Sequence, residues 1–340
     1  MTVLRGGRAD RIPFTVYGWI TPNTPAAKSL HQRGLTPIDA APIFRIERED
    51  TFSEQEEFTK DGERFVRSRI STPVGEVTEI SGFESGYGSR WIREHYIKSV
   101  EDYRVMRYVY DHTTIKASWD QWLDAERRTR DDGIVLGYID PIPVQLLLVE
   151  VMGTEAWCEG VLAYPDEFDA LMESLTRLHK REVEIAAESP AEVIWFPDNV
   201  TGLIMSPARF EMYCAPIYDY ACSVLRQAGK LSFAHYDGAN LPLKNQIAKT
   251  GFEIVEAFTP PPMERMSVAE ARAAWPGKVL SLNFPGNLFR EPSEVIKRWT
   301  RTYIEEAGDP RGFIIGCTEN FDAADFERAF NAIADAMGNG

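Results

Sequence analysis

Cysteine is scarce in this sequence. Only Cys158, Cys214, Cys222 and Cys317 occur in 340 residues, and none forms a C-x-x-C spacing. That excludes a disulfide-stapled scaffold and points to a reducing compartment. Basic charge is short as well. Lys and Arg number 37 against 52 Asp and Glu, a formal net charge of −15. Binding to a phosphate backbone or an anionic membrane needs clustered Lys and Arg, so neither is expected as the main partner. Long apolar runs are missing. The longest, around Ile142 to Met152, is broken by Gln145 and Glu150 and is too short to span a bilayer. Arg5, Arg8 and Arg11 are not followed by the apolar stretch of a signal peptide, and the expectation is a cytoplasmic protein. No internal repeat and no low-complexity linker is visible.

What is present is ordinary for a folded chain: 44% apolar and 26% charged residues. The length suits one large barrel or two average domains. Arg11 to Gly18 reads as a buried opening strand, followed by a helical stretch from Ala26 to Arg33 that ends at Gly34. Between about Ile43 and Lys98 the pattern turns to alternation. Ile43 to Glu47, Glu63 to Ser71 and Gly75 to Ile80 carry β-branched residues, with turn signals at Asp61-Gly62 and Pro73-Val74-Gly75. This predicts an antiparallel meander, inserted over 43–98 on the rim of a larger fold.

From Ser99 onward helices and strands alternate. Helices are predicted at Val100 to Tyr110, Ser118 to Arg128, Pro165 to Ala187, Pro207 to Ala228, Ser267 to Trp275, Pro292 to Glu306 and Ala323 to Ala336. Ser99 and Ser206 are N-cap types, and Pro207 suits a first helical position. The apolar runs between the later helices are Val193 to Phe196, Leu231 to Ala234, Glu253 to Ala257, Val279 to Asn283 and Gly312 to Gly316. Strands and helices in this order make parallel βαβ units. Each run ends in polar residues: Pro197-Asp198-Asn199, His235-Tyr236-Asp237-Gly238, Glu256, Asn283 and Cys317-Thr318-Glu319-Asn320. In a parallel barrel those ends share one face, and that face carries the chemistry. An open doubly wound sheet would do likewise, but no G-x-G-x-x-G follows the first strand, so a dinucleotide site is not expected. The fold class expected is α/β, a TIM-type (β/α)8 barrel, with residues 1–340 forming a single domain.

His235 is the first candidate for chemistry. A lone histidine beside an apolar strand is commonly a core or surface residue. Here Asp237 points the same way, two residues on, which suits a metal or an acid–base pair. Glu256 closes an apolar run and is costly to bury unless paired or metal-bound. Cys317 and Glu319 share one side of the last strand. His31, His95, His112 and His179 lie in helical or polar surroundings and read as surface or capping residues.

These motifs resemble the uroporphyrinogen decarboxylase superfamily, and within it the corrinoid-dependent methyltransferase branch. The resemblance rests on Ser71-Thr72-Pro73-Val74-Gly75, Ile97 to Tyr103, Pro197-Asp198-Asn199 and Ile204-Met205-Ser206-Pro207. Its most specific parts are His235-Tyr236-Asp237-Gly238, Glu256 to Pro262 and Gly316-Cys317-Thr318-Glu319-Asn320. It implies a barrel, a homodimer and zinc at the late strand ends. Thiol-methylating relatives carry a His-x-Cys pair and a late cysteine. His235 matches the histidine, Asp237 stands where the first cysteine would be, and the late position falls on Cys317 or Glu319. Glu256 matches an acidic residue that can complete the zinc shell. The decarboxylase proper fits poorly, because Tyr17-Gly18-Trp19-Ile20-Thr21-Pro22 lacks the arginines that hold porphyrin carboxylates.

The resemblance therefore implies an O-demethylase component. It would move a methyl group from a small methoxylated, aromatic substrate to cobalamin on a partner corrinoid protein, since no D-x-H-x-x-G cobalamin motif is present here. Metal ligands would come from His235, Glu256, Cys317 and Glu319. Asp198, Asn199 and Asp237 would serve catalysis, and Tyr17, Trp19, Tyr87 and Trp91 would line the substrate pocket. A carboxylate-rich ligand set favours an oxygen-bearing methyl donor over a thiol acceptor. The alternatives are a metal-dependent lyase, decarboxylase or hydrolase on the same barrel, and a non-enzymatic binding subunit.

Overall fold

The computed structural model describes residues 1–83 and 90–338. Its strands, in chain order, are β1 (Phe14–Tyr17), β2 (Leu35–Pro42), β3 (Phe44–Arg48), β4 (Phe52–Lys60), β5 (Glu63–Thr72), β6 (Gly75–Phe83), β7 (Arg90–Glu94), β8 (Thr113–Ala117), β9 (Ile134–Tyr138), β10 (Val193–Phe196), β11 (Leu231–His235), β12 (Ile254–Phe258), β13 (Val279–Asn283) and β14 (Phe313–Cys317). The chain divides into two compact units. One comprises Met1–Ile43, Trp119–Ile139 and Ala186–Gly340; the other comprises Phe44–Ser118 and Asp140–Ile185.

The first unit is a closed barrel of parallel strands in the order β1-β14-β13-β12-β11-β10-β9-β2. It is the (β/α)8 architecture the alternating pattern predicts. Strands β11 to β14 are buried at nearly every position, as strands with a filled bore inside and helices outside must be. Leu136, Val193, Phe233, Ile254, Val279 and Ile314 fill the lower bore, with Val3 and Leu4 among them. The outer helices begin as their sequences dictate. The Ser206 hydroxyl accepts the Arg209 N–H ahead of Pro207, and Ser267 forms a reciprocal capping box with Glu270. The predicted helix Pro207 to Ala228 is interrupted: Pro207–Arg209 passes through a π turn at Phe210–Cys214 before Ala215–Gln227.

The second unit holds two antiparallel sheets, β3-β8 and β4-β5-β6-β7. Strands β4 and β5 are joined at Asp61-Gly62, both with positive φ, the conformation a two-residue hairpin turn requires. The unit extends beyond the meander to the capped helix Val100–Asp111 and the helix Gly153–Ala163.

Candidate active site

The barrel's geometry makes the site from strand ends. Tyr17 ends β1, His235 ends β11, and Asn283 ends β13. In the β11–β12 ladder His235 pairs with Glu256, so the two side chains lie side by side on one rim. The β12–β13 register then shifts between Val255 and Phe258, and Ala257 has φ +57°, rare for a residue with a Cβ. A bulge of this kind re-aims the neighbouring side chain. Glu256 is 1% exposed and His235 8%.

Three groups close a buried triangle. The His235 Nδ1–H donates to Glu256 Oε2 at 2.7 Å. The Tyr17 hydroxyl donates to Glu256 Oε1 at 2.8 Å and lies 3.0 Å from His235 Nδ1. Both carboxylate oxygens of Glu256 are thus committed to one side of the imidazole. The other nitrogen, Nε2, faces Asp237 Oδ2 at 3.6 Å. Burial opposes a charged imidazole, but Glu256 and then Asp237 outweigh it and hold His235 up at about 10. Burial first, and then Glu256, pushes the Tyr17 hydroxyl well above its ordinary value, so it stays a donor.

Glu319 sits on the Asp237 side. Burial, then the charge of Asp237, raises its carboxyl, while Asn283 and His235 pull the other way. Asn283 is fully buried and uses its whole amide: Nδ2 donates to Glu319 Oε1 and Thr259 Oγ1, each at 3.0 Å, and Oδ1 accepts the Thr318 N–H at 3.0 Å. An aromatic wall adjoins the triangle. Trp19 stacks on Tyr17 at 4.2 Å, and Trp195 meets Tyr17, Tyr138 and His235 edge-on at 5.7–6.0 Å. The Trp195 indole N–H is buried without a hydrogen-bond partner among the described residues.

The donors suit a metal in kind and partly in place. A carboxylate on Nδ1 leaves Nε2 as the ligating atom, the usual support of a metal-bound histidine. Two donors bonded to one tetrahedral zinc at about 2.0–2.2 Å are separated by roughly 3.4 Å, close to the 3.6 Å between His235 Nε2 and Asp237 Oδ2. Among the described residues no group of three or more His, Cys, Asp or Glu is disposed to hold a metal ion. The fit therefore stops at this pair.

The uroporphyrinogen decarboxylase (URO-D) family model matches residues 127–318, more than half of the sequence. This chain belongs to the uroporphyrinogen decarboxylase family. The match begins after the arginine-free Tyr17 to Pro22 segment and takes in β9 to β14. Among solved structures, a methyltransferase from Methanosarcina mazei is 14% identical, covers 74% of this chain and 72% of its own, and superposes with a TM-score of 0.52. At that identity the likeness is one of fold. A Listeria monocytogenes structure described as a vitamin-B12 independent methionine synthase is 12% identical over 63% of this chain and 65% of its own, with a TM-score of 0.36. No curated protein matches the sequence.

In this family member the sequence-predicted residues fall into separate places. His235, Asp237, Glu256, Glu319, Tyr17 and Trp19 come together. Cys317 ends β14 fully buried, and burial alone pushes its thiol well above the ordinary range. Asp198 is buried and accepts the Tyr218 hydroxyl at 2.8 Å, on the side of the helix Ala215–Gln227. Asn199 is exposed, in the left-handed region at φ +50°. Trp91 lies half exposed on β7, in the other unit. Tyr87 lies outside the described residues. Trp195, Tyr138 and Thr259 were not singled out by the sequence. The signal for Trp195 was its place in a strand that ends in Pro197-Asp198-Asn199. No helix among the described residues is long and apolar enough to cross a membrane.

Proposed function

We propose that the chain is a methyltransferase that removes a methyl group from a small methoxylated aromatic compound and delivers it to cobalamin on a corrinoid protein. The observation that carries this reading is the oriented imidazole. His235 is locked through Nδ1 by Glu256 and Tyr17 and presents Nε2 to Asp237 at the strand ends of a closed barrel. Family membership supports an enzyme of this barrel class, and the Methanosarcina methyltransferase shares the fold.

A divalent metal, zinc in this reading, would be held by His235 and Asp237 and would act as a Lewis acid on the ether oxygen. The remaining groups belong to the chain itself. Breaking the methyl carbon–oxygen bond leaves the electron pair on oxygen, which then takes up a proton. Glu319, with its raised carboxyl and its anchor to Asn283, is the acid placed to supply it. Trp19 and Trp195 offer apolar ring faces to an aromatic substrate, and the Trp195 N–H is a donor for a substrate oxygen.

Two measurements test the reading. Methoxylated compounds are screened with reduced corrinoid protein, and methyl transfer is read from the cobalt absorbance change. Metal content is compared between the native chain and His235→Ala, with loss of zinc expected in the variant. Unchanged metal content, or no methyl transfer across the screen, refutes it. A second reading is favoured by one observation: His235 held at about 10 is an imidazolium, and so a general acid, without any metal. That suits a lyase or decarboxylase, and turnover without corrinoid protein would select it.

A further inference from the structure

The second unit encloses a cavity of about 310 Å³. Every residue that lines it belongs to that unit, and none belongs to the His235 cluster. One wall is apolar and includes Ile70, Met106, Val109, Leu146 and Leu178. The rest of the lining includes charged groups. It carries four carboxylates, Glu79, Asp140, Glu150 and Glu182, against two guanidinium groups, Arg48 and Arg90, and one imidazole, His179. Two of these acids are nine-tenths buried and already answered. Glu79 accepts the Ser81 hydroxyl at 2.9 Å and pairs with Arg90. Glu182 accepts the Asp140 N–H at 3.1 Å and lies 3.6 Å from His179 Nδ1. Glu150 makes no ion pair among the described residues. Burial, then the charge of Glu79, raises its carboxyl. Burial raises the Tyr110 hydroxyl most; Arg48 opposes this, and Asp140, Tyr96 and Glu150 add to it.

A lining with more negative than positive charge favours a cation by complementarity. Tyr96 and Tyr110 also line it, and aromatic rings and hydroxyls are partners an ammonium group uses. The apolar wall suits a hydrocarbon body. We propose that this cavity is a second small-molecule site, for a compact organic ammonium ion with an apolar body.

Isothermal titration calorimetry on the full chain decides the point. The probes are phenethylammonium, phenylpropionate and phenethyl alcohol, which share shape and differ in charge. Phenethylammonium is expected to bind at least about tenfold tighter than the carboxylate. Glu150→Gln, at a residue partly open to solvent although its carboxyl is half-buried, is expected to weaken it by about twofold to fivefold. Ile46→Trp, at the exposed end of the lining, fills the space and abolishes binding. Asp237→Asn leaves binding unchanged, which separates this site from the barrel mouth. Circular dichroism melts confirm that each variant folds, and Glu150→Gln carries the test if the tryptophan variant does not. A cavity that holds only water gives no saturable heat with any probe. That result overturns the proposal, as does a carboxylate that binds equally well or affinity unchanged in both cavity variants.

Discussion

Glu256→Gln removes the charge that most strongly sustains the His235 imidazolium, and its consequence is a change in how stability depends on pH. In the folded chain His235 is held at about 10, against an ordinary 6.5. A group raised in this way contributes stability that is fully present below its unfolded pKa and is lost as pH rises through its folded pKa. For one such group the slope between those limits is about 1.4 kcal/mol per pH unit. From pH 7 to pH 9 the metal-free protein should therefore lose roughly 2–3 kcal/mol from this source, a large part of a typical total of about 5–15 kcal/mol. In Glu256→Gln the imidazole turns neutral near neutral pH and the slope disappears. The variant should be less stable by about 3–5 kcal/mol near pH 6, the cost of breaking a buried pair. The gap should narrow toward pH 10. Urea melts of chelator-treated protein across this range measure both curves, and imidazole NMR follows His235 itself. A His235 that titrates near 6.5 in the native chain, or a gap that stays constant with pH, refutes the reasoning.

Three further outcomes follow from the same geometry. In the proposed reading a zinc ion on Nε2 would have to displace the His235 proton, so zinc affinity measured by competition with a chromophoric chelator should rise about tenfold per pH unit between pH 7 and pH 9; a flat profile removes His235 from the ligands. Among the cysteines only Cys158 is partly exposed, while Cys214, Cys222 and Cys317 are buried. A disulfide reagent should accordingly label one thiol in the native chain and four after denaturation, and Cys317→Ala should keep its metal. Asn283→Ala strands the Thr318 N–H and frees Glu319. It should lower stability by about 2–4 kcal/mol in urea melts, and Asn283→Asp, which sets a second carboxylate beside Glu319, should be worse at pH 8 than at pH 5.

The late half of the barrel was legible because its strands are short apolar runs between capped helices. Val193–Phe196 and Val279–Asn283 fall where the pattern puts them, β11 runs one residue further, and β12 and β14 are each shifted by one residue toward the C-terminus. The early half was not. Strand β2 carries Pro37, Asp39 and Pro42, residues that disfavour strands, so no strand is expected there, although it pairs with β1 and β9 along its length. Strand β4 is exposed at eight of nine positions, so it has no buried face to impose alternation. Strand β9 carries Gly137, which weakens a strand pattern. Asp140–Ile185 gave no sign of joining the meander's unit, because membership in a unit is set by long-range packing and not by local periodicity.

The carboxylates mark the limit of pattern reasoning more sharply. Strand-end spacing alone does not rank Asp237, Glu256 and Glu319, and the resemblance puts Asp237 with the catalytic residues and the two glutamates with the metal ligands. Two long-range facts separate them. The β11–β12 register sets Glu256 beside His235, and the irregularity after Val255 turns its carboxylate onto Nδ1. Tyr17, arriving from β1 across the bore, hydrogen-bonds the other oxygen, so both Glu256 oxygens are engaged on the Nδ1 side of the ring. Asp237 follows the end of β11 and faces Nε2. In the proposed function Glu256 would therefore act through the imidazole, and Asp237 alongside it. Cys317 follows the same logic in reverse. Its position at a strand end suggested a ligand, but Cys317 pairs with Val16 in the β1–β14 ladder and is wholly buried. A thiol that burial holds protonated is a poor ligand until something pays to expose it. Assigning a metal ligand from a strand-end motif thus requires knowing which way the strand's last residue turns, and that is fixed by the neighbouring strands.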